Sequence, residues 1–361
     1  MQLSDLWLTD FRCYADLHLT FAEGLTVIEG DNGEGKSSLL EAVAYLATLR
    51  SFRRVPNDAL IRHGTSAAFV RAEGSRDGRT LLIEAELSAT GRNRLQVNKQ
   101  RVRRSRDLVD ILRVSVFSPD DLELVKGGPA HRRDFLDDTM ASRSPADHQL
   151  RTDLERVLRQ RNTLLRQARG RLTDDVATTL DVWDSQLATL GDTLAARRRE
   201  VLDELSPLLT EAYVDVAGTA ASVALTYHPA WADSGLGAAL AAGRDEDVRR
   251  GVTLVGPHRD DVGLVLAGLP ARTHASQGEQ RSLALALRLA AHRLVAAAWG
   301  TSPILLLDDV FSELDAHRAD ALVRALPPGQ TLLSTASVLP PGIEPGEIVR
   351  VVGGVIIEGN P

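Results

Sequence analysis

The chain has 361 residues, 43% of them hydrophobic and 25% charged, a balance that suits a soluble globular protein able to bury a large core. Its formal charge of −7 excludes a protein coated in positive charge, and its single cysteine, Cys13, excludes a disulfide framework or a thiolate zinc site. No apolar run approaches the ~18–20 residues of a membrane span, and the N-terminus reads as a strand and not a secretory leader, so a cytoplasmic location off the membrane is expected.

Along the chain, Leu25-Thr26-Val27-Ile28 is an apolar, β-branched run that predicts a buried strand. Gly30-Asp31-Asn32-Gly33-Glu34-Gly35-Lys36-Ser37 follows and satisfies G-x-x-x-x-G-K-[ST] at each fixed position. From Ser38 to Leu49 the apolar residues Leu39, Val43, Leu46 and Ala47 recur at helical spacing. Strand, glycine turn and helix together make the motif physical. Backbone N–H groups curl around an anion, the helix N-terminus adds its positive dipole end, and Lys36 reaches the terminal phosphates. Ser37 would place a hydroxyl on Mg²⁺. A glycine turn that merely precedes a helix is the competing reading, and the flanking elements count against it.

Arg92, Arg94, Lys99, Arg101, Arg103, Arg104 and Arg106 form the most basic stretch, with no acidic residue among them. A solvated hairpin is the bland reading of such a run. In a chain of net negative charge, cations gathered on one strand pair also suit a phosphate-binding surface. Aromatics are only 4% of the chain and are not interleaved with these cations, which favours contact with a duplex backbone over stacking on single strands.

From about Pro145 to Pro207 the pattern turns helical. Leu154, Leu158, Arg161, Leu165, Ala168 and Leu172 mark one arm, and Val176, Leu180, Trp183, Leu187, Leu190 and Leu194 mark another. Steps of three and four predict a helix–helix seam, with Gly170 and Thr173-Asp174-Asp175 at the turn. An antiparallel hairpin with arms on the order of 30 Å is expected.

Ser276-Gln277-Gly278-Glu279-Gln280 precedes an alanine- and leucine-rich helix from Arg281 to Ala298. Alone it is an N-cap; ahead of an acidic strand it becomes a second candidate phosphate-facing start, through Ser276 and Gly278. Ile304-Leu305-Leu306-Leu307-Asp308-Asp309 reads as a buried parallel strand opening on a ligand crevice. Asp308 is expected to hold Mg²⁺ and Asp309 to orient or deprotonate the attacking water, so Lys36, Asp308 and Asp309 are the candidate catalytic residues. Ser312-Glu313-Leu314-Asp315 follows, then a strand from Thr331 to Leu333 leading into Ser334-Thr335-Ala336-Ser337.

This order of motifs resembles that of ABC-type ATPases: P-loop, signature motif, Walker B, D-loop and switch. The chain also resembles the RecF family of bacterial recombination mediators over nearly its whole length. That likeness lies in Asp10-Phe11-Arg12-Cys13-Tyr14, Ser51-Phe52-Arg53, Phe117-Ser118-Pro119-Asp120-Asp121-Leu122 and Gly127-Gly128-Pro129. It continues in Arg132-Arg133-Asp134-Phe135-Leu136-Asp137, Arg159-Gln160-Arg161-Asn162 and Gly256-Pro257-His258-Arg259-Asp260-Asp261. The resemblance implies an α/β ABC-type head from residues 1–125 and 251–361, with a helical lobe at 126–250.

It further implies ATP and Mg²⁺ as ligands, held by Gly30 to Ser38, and a homodimer on ATP in which Ser276 and Gly278 of one copy meet the γ-phosphate of another. Arg12 is expected near the nucleotide, and Thr335 or Ser337 in the switch. The implied partners are DNA, as duplex or single/double-strand junctions, and RecR, with RecO and RecA acting indirectly. Weak DNA-stimulated ATPase activity would serve recombinational repair. Three departures from the broader ABC pattern stand out: Asp309 replaces the usual glutamate, no histidine occupies the switch, and no Q-loop glutamine occurs near Phe117 to Leu122. A transporter ATPase subunit, a small-molecule P-loop kinase and a clamp that binds ATP without hydrolysing it are the rivals. His258 and Arg259 fit either a catalytic pair or a Gly-Pro turn paired with Asp260 or Asp261.

Overall fold

A computed structural model of the chain describes residues 2–358 apart from 77, 103, 104 and 313. The chain divides into two compact units: Met1–Leu122 with Glu211–Ala220 and Arg281–Pro361, and Glu123–Thr210 with Ala221–Gln280. Residues 251–280, expected in the ATPase head, therefore group with the inserted segment, and 211–220 group with the head.

The first unit holds two six-stranded sheets. One is antiparallel, built from β1 (Gln2–Phe11), β2 (Tyr14–Thr20), β4 (Ala67–Arg76), β5 (Arg79–Ser88), β6 (Arg94–Val97) and β7 (Gln100–Arg101) in the order β2-β1-β4-β5-β6-β7. The other comprises β3 (Leu25–Glu29), β8 (Val114–Phe117), β12 (Ile304–Asp308), β13 (Thr331–Thr335), β14 (Glu347–Val352) and β15 (Val355–Glu358). Its order is β15-β14-β3-β13-β12-β8, parallel except for the β15 edge. Parallel strands buried on both faces read as continuous apolar runs, as β12 does. Helix α1 (Lys36–Thr48) lies between the sheets, which explains why it is buried nearly all round from Ser38 to Leu46.

The second unit starts with α2 (Glu123–Lys126), α3 (Pro129–Arg143) and α4 (Pro145–Ala168), followed by α5 (Asp174–Ala217). Its small sheet has the order β11-β10-β9, from β9 (Val223–Tyr227), β10 (Val262–Leu266) and β11 (Leu269–Pro270). Helices α6 (Leu236–Arg250) and α7 (Ala271–His274) complete it. The hairpin is not packed only on itself: α4 also contacts α3 and α6, and Leu165, Leu180 and Val248 form one apolar cluster.

Helix α5 runs 44 residues, straight through Pro207, where the sequence pattern predicts an end. Beyond the proline, Leu209, Ala212, Tyr213 and Val216 continue the buried stripe. Their burial outweighs the lost backbone bond, worth about 3 kcal/mol in a helix interior.

Helix α8 (Gln277–Trp299) is long and apolar enough, with a mean hydropathy of 1.2, to cross a membrane by length and composition, contrary to the expectation that no run comes close. Its Leu283, Ala286, Leu287, Leu289 and Ala290 are buried, which accounts for that apolarity as a core helix. Helix α9 (Ala316–Ala325) is capped by Asp315, whose carboxylate accepts from the Arg318 N–H.

Candidate nucleotide site

The loop between β3 and α1 leaves Asp31, Asn32 and Gly33 exposed and buries Lys36. Two of its glycines are required by contact. Gly35 has φ +107° and a side chain there would strike Cys13 Sγ and Tyr14 Oη; a Cβ at Gly30 would lie 2.4 Å from the Val351 carbonyl. Lys36 Nζ donates to the carbonyls of Gly30 and Asp31, 2.7 Å each, so the ammonium is held inside the loop it serves. The Gly353 N–H donates to Glu34, which ties the β14–β15 turn to the loop.

Asp308 ends β12 and is buried. One of its oxygens, Oδ1, accepts from the hydroxyls of Ser37 and Ser334, each at 2.7 Å. Ser37 opens α1 and Ser334 lies on β13 opposite Asp308, so one carboxylate joins three elements. Sequence reasoning placed Ser334 in the switch stretch but gave the role there to Thr335 or Ser337. The signal was available in principle: two neighbouring parallel strands both turn polar where their apolar runs end, at the edge where such sheets bind ligands.

Asp309 adopts φ +50°, a left-handed conformation rare outside glycine, and its N–H donates to the Ser334 carbonyl and hydroxyl. Its Oδ1 is buried without a hydrogen-bond partner among the described residues, and the residue lines a cavity of about 40 Å³, shared with Ser118, Asp121 and Arg281. That volume suits a water molecule next to an unused carboxylate oxygen. Asp121, in the segment lacking the Q-loop glutamine, accepts from Arg288 of α8 at 2.6 Å and from the Ser118 N–H at 2.9 Å.

Thr335 is buried and its hydroxyl is spent within the turn, donating to the Ser337 carbonyl and accepting from its N–H. Arg12, expected near the nucleotide, is engaged with the helix that follows the loop. Its Nε and Nη2 grip Glu41 of α1 at 2.8 and 2.9 Å, and Nη1 donates to the Ala59 carbonyl. Glu41 is wholly buried and needs that partner, and it also accepts from Ser51, so the arginine is committed to holding α1.

In the second unit, Ser276 and Glu279 form a reciprocal capping box: the Ser276 N–H and hydroxyl donate to Glu279 Oε2, and the Glu279 N–H donates to Ser276 Oγ. Gly278 is half-buried beside it. His258 and Arg259 belong to an internal polar network. His258 Nε2 bonds the Thr253 carbonyl, and burial drives the ring's pKa down to about 4, so it is neutral and enclosed. Tyr227 and Trp231 donate to Asp260, and Arg132 pairs in bidentate fashion with Asp261. Arg161 of the Arg-Gln-Arg-Asn run, fully buried, bridges Asp184, Asp247 and Thr253. The neighbouring Asn162 accepts from the Thr253 N–H and hydroxyl. These motifs hold the second unit together.

Of the basic stretch, Arg94 lies on β6 and Arg101 on β7, joined by a turn in which Asn98 and Lys99 both have positive φ. Arg92, Lys99 and Arg101 are exposed, whereas Arg94 pairs with Glu86 at 3.3 Å. Arg103 and Arg104 fall outside the described residues, as does Glu313 of the D-loop candidate, and the Arg106 side chain is likewise not described. Among the described residues no cluster of three or more His, Cys, Asp or Glu forms a metal site.

A phosphate loop, a buried carboxylate at the end of the strand two places away in the same sheet and a capped helix start earlier in the sequence define an ABC-type P-loop ATPase head. The Smc head bound to the C-winged helix domain of ScpA shares that fold, with a TM-score of 0.58 at 16% identity. The family described as RecF/RecN/SMC N terminal domain matches residues 2–331. The DNA replication and repair protein RecF of Streptomyces avermitilis is 43% identical over 99% of both chains, and that of Frankia alni 43% over 94% of both. The chain belongs to the RecF family. A solved structure described as the recombination mediator protein RecF-ATP in the RecFOR pathway superposes with a TM-score of 0.90 at 26% identity, covering 99% of this chain and 98% of that one.

Proposed function

We propose that this chain is an ATP-dependent DNA-binding protein of recombinational repair that works in the cytoplasm. The observation that carries the reading is the Asp308 carboxylate gathering Ser37 and Ser334, with Asp309 next to it bearing an unpaired buried oxygen. The loop N–H groups from Gly30 to Ser38 and the Lys36 ammonium bind the triphosphate. Ser37 and Asp308 are hard oxygen donors on adjacent elements, a set that fits Mg²⁺ with phosphate and water as its other ligands. Held there, Mg²⁺ would supply charge neutralisation for the triphosphate. Asp309 orients water and accepts its proton, and its short side chain suits slow turnover.

Pairing follows from the signature start. Ser276 and Gly278 of a second copy supply hydroxyl and N–H donors to the γ-phosphate, so the triphosphate stabilises the pair and hydrolysis releases it. The exposed cations of the β6–β7 hairpin contact DNA phosphates. RecR, with RecO and RecA acting indirectly at gapped DNA, completes the expected pathway, supported by family membership and by the RecFOR context of the superposed structure.

The test is molecular size with ATP and Mg²⁺, with and without DNA. Parent protein should pair on ATP, Lys36→Ala should lose ATP binding, and Ser276→Arg should keep ATP but stay single. ATP-dependent pairing in either variant, or loss of ATP binding in Ser276→Arg, would refute the assignment. A passive clamp is the second reading: Asp309→Asn should trap the ATP-bound pair in a hydrolytic switch and change nothing in a passive one.

A further inference from the structure

The candidate nucleotide loop sits at the C-terminal ends of the parallel strands of the first unit. At their N-terminal ends, about 17 Å away along five-residue strands, lies a separate cleft of about 550 Å³. Ser302, just before β12, and Pro327 and Pro328, just before β13, form part of its wall.

His292 of α8 lines this cleft. It is 1% exposed, and neither ring nitrogen has a hydrogen-bond partner among the described residues. Buried polar groups are nearly always paired, so an enclosed imidazole with both nitrogens idle calls for a ligand. Burial keeps the ring neutral, its pKa lowered to about 4, and a neutral ring offers one N–H donor. Arg293 and Arg324 add two cations, against the single carboxylate of Asp215, which Arg293 already holds at 2.6 Å. In a chain of net charge −7 this is a local excess of positive charge. The lining also includes the apolar Ala296, Ala325 and Leu326.

We propose that this cleft binds the terminal carboxylate of a partner polypeptide whose last side chain is apolar. His292 donates to the carboxylate, Arg324 pairs with it, and the apolar side chain lies against Ala296, Ala325 and Leu326. Free phosphate shares the anionic part of this chemistry but has no group for the apolar wall. The site stands apart from the nucleotide loop, so its occupancy does not depend on ATP.

The test uses the full chain with ¹⁵N-labelled histidine, the His292 resonances being assigned by their loss in His292→Gln. It is titrated at neutral pH with N-acetyl-leucine, N-acetyl-leucinamide and sodium phosphate. The expected result is a saturable shift of the His292 ring with N-acetyl-leucine and little with the other two. In Arg324→Ala, which alters an exposed residue, the apparent Kd should rise about tenfold, the worth of one charge-assisted bond. Lys36→Ala should respond as the parent does. No response at His292, an equal response to the amide, or phosphate binding as tight as N-acetyl-leucine would each overturn the proposal.

Discussion

Arg161 shows what a buried charge demands of its neighbours. The guanidinium is enclosed and answered by Asp184 at 2.6 Å and Asp247 at 2.7 Å. Removing one partner of such a set leaves the others charged and dry. Arg161→Met should therefore destabilise the chain by about 3–5 kcal/mol, read from urea denaturation, without adding any new clash. The two enclosed histidines set a pH dependence. His258 and His292 both have pKa values lowered to about 4, while the unfolded chain takes up those protons near pH 6.5. Protons bind the unfolded state first, so stability is full above pH 6.5 and declines as pH falls towards 4. Thermal midpoints should follow that slope, and His292→Leu should flatten part of it. At this scale the sequence was legible where chemistry is local. Lys36, Ser37, Asp308 and Asp309 lie where their spacing points, whereas Ser334 and the Arg12–Glu41 pair depend on which strands and helices become neighbours.

Among the elements, the phosphate loop and the strands beside it follow from short-range pattern, apolar run then glycine turn then helix. Helix α5 does not, because a proline is a local signal and the packing that overrides it is not. Pro207→Ala restores a backbone donor in a helix already formed. It should raise stability by roughly 1–3 kcal/mol in equilibrium denaturation. The β6–β7 hairpin carries its cations at a sheet edge, exposed at Arg92, Lys99 and Arg101. DNA affinity measured between about 50 and 200 mM salt should fall several-fold or more for even a few phosphate contacts. A Lys99→Glu, Arg101→Glu variant should lower that salt slope, and a flat response in the parent would remove the hairpin from the DNA surface.

At the scale of the whole chain, the division into units was the least legible property. Residues 251–280 follow the inserted helices because β10 pairs with β9, a partner some forty residues earlier that no local pattern announces. The most consequential long-range pairing is that of β3. This strand, residues 25–29, has β13 on one side and β14 on the other, so both its neighbours come from residues 331–352. During synthesis the phosphate loop thus waits, without either neighbouring strand, until residues 331–352 have been added. A chain released after residue 330 should bind no ATP, as measured by filter retention, although every residue of Gly30 to Ser38 is in it. Synthesis therefore carries its own inspection: a polypeptide cut short before residue 331 cannot cradle a triphosphate, and such fragments cannot compete with longer molecules.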